Sequence, residues 1–122
     1  MLRVGFATIR PEKEARLRDW LKELGEREAE VIETFRRETI SHEQVFIVQS
    51  ESGPLLVFAI EAEDHELARK VYESSTLAID KEHGAVLQEC LADGPRPRPL
   101  FECRVPQSST ICNESTGPAP HA

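Results

Sequence analysis

Apolar residues change their spacing along the chain, and each change marks an element. Residues 2–10 (LRVGFATIR) can form a strand. From Pro11 to about Glu38 one amphipathic helical pattern runs without a break. Leu17, Leu21, Leu24, Val31 and Phe35 make its continuous stripe, with Trp20 and Ile32 beside it. His42–Ser50 and Leu55–Glu61 read as strands that meet at Glu51-Ser52-Gly53-Pro54. Helical patterns follow at Asp64–Ser74 and about Leu77–Leu91, and Leu100–Val105 closes the pattern as a last strand. The order is β-α-β-β-α-β with a long first helix and an extra short helix. It predicts an α+β fold, one four-stranded antiparallel sheet with helices on one face.

The long helix has a length to accommodate. Some 28 residues at ~1.5 Å each give about 42 Å, against roughly 27 Å for an eight-residue strand at ~3.4 Å per residue. Either it overhangs the sheet or it bends, and Gly25 is the weak point of the run. Pro11 suits a first helical position, with Glu12 and Glu14 in the turn where acids favour the helix dipole. Glu12/Arg16, Glu14/Arg18, Glu23/Arg27 and Glu33/Arg37 stand four apart in the favourable orientation, each contributing about 0.2–0.5 kcal/mol. Asp64 is a good N-cap for the next helix, and Thr76 or Asp80 caps the one after. Asp93-Gly94-Pro95-Arg96-Pro97-Arg98-Pro99 then reads as a stiff extended crossover. The domain therefore spans residues 1–105, and residues 106–122 have the Pro/Ser/Thr-rich composition of a flexible tail.

The strands carry apolar residues on both faces. Residues 43–48 and 55–60 do so throughout, and residues 2–9 place Leu2, Val4 and Phe6 on one side and Ala7 and Ile9 on the other. A sheet with one wet face would alternate instead. Helices on one side leave the other to be covered, and a second copy of the chain is the economical cover, so a homodimer is expected.

Composition narrows the class without naming a reaction. The 122 residues suffice for one core, and 39% hydrophobic with 30% charged residues is the balance of a soluble globular chain. A net charge of −7 argues against nucleic acid as a partner, which would need a basic stripe. No apolar run approaches the ~18 residues of a membrane span, and the N-terminus enters a strand pattern without a signal-like segment, so a cytoplasmic location without membrane contact is expected. Cys90, Cys103 and Cys112 are widely spaced and form no metal or disulfide pattern. Cys90 and Cys103 fall on apolar faces, as small buried hydrophobes do.

Certain stretches carry a resemblance. The strand-helix-hairpin-helices-strand plan resembles the dimeric α/β-barrel superfamily, and Arg3-Val4-Gly5-Phe6-Ala7-Thr8-Ile9-Arg10, Ser41-His42-Glu43-Gln44-Val45-Phe46, Glu61-Ala62-Glu63-Asp64 and Ile79-Asp80-Lys81-Glu82-His83 carry a closer likeness. Within it, the likeness is to a small bacterial family of unknown function and covers about residues 3–105. The resemblance implies a ferredoxin-like protomer, a two-fold dimer with facing sheets, and a pocket between sheet and helices. It implies no single chemistry, because this fold hosts many.

Candidate chemistry comes from polar residues on apolar faces. Glu28 falls in the gap of the long stripe between Leu24 and Val31, and His83 shares a face with Ile79, Val86, Leu87 and Cys90. His42 shares strand parity with Phe46 and Val48. If that parity is the helix-covered one, Glu28, His83 and His42 meet in one pocket. Glu28 and His83 are then the catalytic acid/base candidates and His42 orients the substrate, with Trp20 and Tyr72 as apolar walls. The structural alternatives are a Glu28 that reaches solvent past a bend at Gly25, a hydrogen-bonded core histidine, and core aromatics. His42, His83 and Glu28 have the residue types of a two-histidine, one-carboxylate metal centre, but no local spacing supports one, and neither metal nor cofactor is expected. Three readings stay open. One is a cofactor-independent enzyme performing proton transfer, isomerisation, cyclisation or oxygenation on a small apolar or aromatic metabolite. The others are a non-catalytic binder of such a molecule and a ligand-free structural dimer.

Overall fold

A computed structural model describes residues 1–92 and 98–106. The chain is α+β. Strands β1 (Leu2–Ile9), β2 (Ile40–Ser50), β3 (Gly53–Ala62) and β4 (Leu91–Ala92) form an antiparallel sheet in the order β2-β3-β1-β4. Helices α1 (Glu14–Glu26), α2 (Glu28–Arg37), α3 (His65–Glu73) and α4 (Ala78–Cys90) complete it, with a 3-10 turn at Pro11–Lys13 leading into α1. Among the described residues, no helix is long and apolar enough to cross a membrane.

The long helical pattern does bend, although the break falls at Arg27, two residues beyond Gly25. At the break Arg27 leaves helical geometry, at φ −109° and ψ 38°. The Arg27 guanidinium pairs with Glu23 before the break, Glu30 after it and Glu82 on α4, which clamps the junction against its neighbour. The expected pairs Glu14/Arg18, Glu23/Arg27 and Glu33/Arg37 form at 2.8 Å each, whereas Arg16 turns to Glu89. Asp64 caps α3 by accepting from the Glu66 and Leu67 amides. Neither Thr76 nor Asp80 caps α4: Leu77 holds that position without a side-chain cap, and the Ser75 hydroxyl accepts from the Leu77 amide. The β2–β3 hairpin turns at Glu51-Ser52, where Gly53 takes the positive φ of 116° that a side chain would resist.

Strand parity divides the sheet cleanly. Ile9, Leu56 and Ala62 are buried beneath the helices, and Ile9 and Leu56 join Leu17, Trp20, Val86 and Cys90 in one core. Phe58 lies over Gly5, its partner on β1, so closely that a Cβ there would meet the ring. The opposite face carries Leu2, Val4, Phe6, Phe46 and Val48, which stay 45% to 58% exposed.

Two expectations about the C-terminal part require correction. Leu100–Val105 is not a strand; the fourth strand is Leu91–Ala92, which leaves α4 directly and pairs with Ile9 and Thr8. It thereby takes the place beside β1 that a last strand would occupy. Pro99 lacks the amide that would continue a ladder. Leu100, Phe101 and Val105 are left exposed. Cys103 is likewise exposed, while Cys90 is buried as expected. The greater part of the Pro-rich crossover, residues 93–97, and the tail from 107 lie outside the described residues.

Candidate functional site

A cavity of about 580 Å³ opens between the helices and the sheet. Leu21, Leu24, Val31, Phe35, Ile79 and Leu87 give it apolar walls from α1, α2 and α4. Its polar groups come from four neighbouring elements: Glu28, Thr34 and Glu38 from α2 and its end, Glu43 from β2, Arg69 and Tyr72 from α3, Asp80 and His83 from α4. A volume of this size suits a small organic molecule.

The candidates Glu28, His83 and Tyr72 border this one cavity. Glu28 does so from an exposed position, so it reaches solvent as well as the opening. Trp20 is buried behind the wall, and its Nε1–H donates to His83 Nδ1 at 2.9 Å. A tryptophan nitrogen only donates, so neutral His83 carries its proton on Nε2. Burial lowers the His83 value from the ordinary range, partly opposed by the charge of Asp80. The imidazole is therefore neutral near pH 7 and offers Nε2–H as a donor.

His42 is not brought to this group. Its parity with Phe46 and Val48 holds, but that parity is the open face. A bulge between Ile40 and His42 decides the matter. Ile40 pairs with inward Ala62, Ser41 is the extra residue, and His42 pairs with Glu61 on the outer face. The three-residue set His42, His83 and Glu28 is thus divided by the sheet. Among the described residues, no group of three His, Cys, Asp or Glu side chains could hold a metal ion.

Sequence reasoning missed the polar end of the cavity. Asp80 is 7% exposed and accepts from the Thr34 hydroxyl at 2.7 Å and the Ser75 hydroxyl at 2.6 Å. Glu38 is 4% exposed, and its nearest donor, Thr34 Oγ1 at 3.4 Å, has already given its one proton to Asp80. Burial, reinforced by the Asp80 charge, pushes the Glu38 carboxyl up to about 7. Burial alone pushes half-buried Glu43 up to about 7 as well. Burial, followed by the Asp80 and Glu38 charges, raises the Tyr72 phenol. Tyr72 is seated against α4 with its hydroxyl 2.9 Å from where a Gly84 Cβ would stand. Thr39, at φ 60°, turns the chain sharply from α2 into β2 and lets Glu38 and Ile40 border the same space. A β-branched residue is strained in that conformation.

A family model matches residues 2–105, which takes in every element of the fold. The chain belongs to the DUF6176 family. DUF6176 is a family of unknown function, so membership fixes kinship without a reaction. No curated protein and no solved structure matches the chain. What the DUF6176 cavity can do must come from its own groups: carboxyls poised to gain or lose a proton, a neutral imidazole donor, a phenol, and apolar walls.

Proposed function

We propose that the chain binds a small apolar metabolite between its helices and sheet and moves a proton on it without a bound cofactor. The observation that carries this reading is Glu38, a carboxyl buried to 4% exposure on the cavity wall without a free donor and held at about 7. A group at that value serves as base and conjugate acid at neutral pH. A carboxylate from Glu38 or Glu43 takes the proton from a carbon beside a carbonyl. The bonding pair moves onto the carbonyl oxygen, where the His83 Nε2–H donates to the developing charge. Return of the proton to a neighbouring atom completes an isomerisation. His83 is then a donor rather than a base, and Glu28 stands at the opening instead of the reacting centre. Binding without turnover is the second reading, favoured by the mainly aliphatic walls.

Incubation of the chain in D2O with small apolar ketones and aldehydes, followed by NMR, tests the chemistry. Deuterium incorporation above the buffer rate, lost when Glu38→Gln and Glu43→Gln are combined, is expected. Exchange no faster than buffer would remove catalysis and leave binding.

The sheet order and the open apolar face support a ferredoxin-like protomer in a dimeric α/β barrel. Read from the β4 edge, the strands run 4-1-3-2, with β1 and β3 central. Leu2, Val4, Phe6, Phe46 and Val48 supply an apolar surface that a second copy would cover by a two-fold contact. Sedimentation at micromolar concentration is expected to give about twice the 13.8 kDa chain mass, and a lone monomer would oppose the dimer.

A further inference from the structure

We infer that the cavity selects a small protonated amine with an apolar or aromatic body. This inference rests on the reading of the cavity as a ligand site and adds the charge of the ligand. Glu38, Glu43 and Asp80 converge on the polar end from three elements, and Glu28 adds a fourth carboxyl at the opening. Asp80 is satisfied by the Thr34 and Ser75 hydroxyls. Glu38 is not, because the Thr34 proton is committed, and it is 96% shielded from solvent while bordering the cavity. Buried carboxyls without donors lack partners that a bound molecule must supply. The one cation on the described wall is Arg69, whose guanidinium is half-exposed and already paired with Glu66 and Glu73. A bound carboxylate or phosphate would face these acids without a free counter-charge, which excludes anionic ligands by simple repulsion.

An ammonium supplies what the site lacks. It has three donors, enough for Glu38 and Glu43 together, and a positive charge that allows both to ionise in a dry setting. Tyr72 and Phe35 line the same space and offer aromatic faces to the cation or to its apolar body. The neutral His83 adds no opposing charge.

Calorimetric titration of the full chain with three probes of matched shape tests the inference: 2-phenylethylamine, propylbenzene and 3-phenylpropionate. The amine is expected to bind at least tenfold more tightly than the hydrocarbon, and the carboxylate not at all. Glu38→Gln combined with Glu43→Gln is expected to abolish the preference for the amine, with a native far-UV circular dichroism spectrum showing that the double variant is folded. Equal binding of amine and hydrocarbon, binding of the carboxylate, or an amine preference that survives both substitutions would overturn the amine assignment and leave the cavity as an apolar site. Absence of binding by all three would overturn the cavity reading together with it.

Discussion

Replacing Glu38 by glutamine isolates the physical term on which the site depends. The ordinary carboxyl value is 4.5, and burial with the Asp80 charge holds the folded group at about 7. Between those values the native chain keeps a proton that the unfolded chain has released, so stability falls as pH rises across the window. At about 1.4 kcal/mol per pH unit, the cost reaches roughly 3 kcal/mol above pH 8 and is below about 1 kcal/mol at pH 5. Water in the cavity that Glu38 borders screens part of this, so the figure is an upper bound. Glutamine keeps the shape, carries no charge and escapes the pH-dependent part. Urea unfolding of wild type and Glu38→Gln at pH 5 and pH 8 measures the difference directly. The variant is expected to gain about 2–3 kcal/mol on wild type between the two pH values, which corresponds to roughly 10 °C or more in Tm for a domain of this size. A variant that tracks wild type at both pH values would show that Glu38 is solvated or paired in the folded state, and the chemistry assigned to it would fail.

Three further substitutions address other links. Gly5→Ala drives a Cβ into the Phe58 ring and is expected to destabilise by about 1–3 kcal/mol in thermal unfolding; a neutral result would mean that the ring does not rest on β1. Trp20→Phe removes the donor to His83 Nδ1, so 15N NMR is expected to show the imidazole losing its single Nε2–H form, and an unchanged tautomer would refute the orienting role. Val57→Glu puts a charge on the open face between Phe6 and Phe46, and is expected to yield monomers by sedimentation while far-UV circular dichroism stays native. A Val57→Glu protein that remains dimeric would place the contact elsewhere.

Much of the architecture is legible in local pattern. Both strands of the hairpin, the capped α3 and the helical stripe follow from period and turn chemistry. The parity that groups His42 with Phe46 and Val48 is legible too, but its face is not. That depends on one extra residue, Ser41, whose presence shows only in the pairing with β3. The short β4 hides in the apolar run that ends α4, because Leu91 continues the helical period through Cys90. The polar end of the cavity left signals that were available: Glu38 stands three after Phe35 and seven after Val31 on the stripe, and Glu43 shares parity with Val45 and Ile47. Asp80 lies three before His83 and seven before Leu87, yet its position near a helix start resembles a cap. Their convergence could not be read, since it arises from packing α2, α4 and β2 around one space.

The most direct test of the central claim is a 13C NMR titration of the glutamate side-chain carboxyls, with Glu38→Gln and Glu43→Gln used to assign the signals. Two carboxyls with midpoints near 7, one lost in each variant, are what a cavity with proton-transferring acids requires. Midpoints below about 5 for every glutamate would mean that these groups are ordinary solvated acids, and the account of the site would be contradicted.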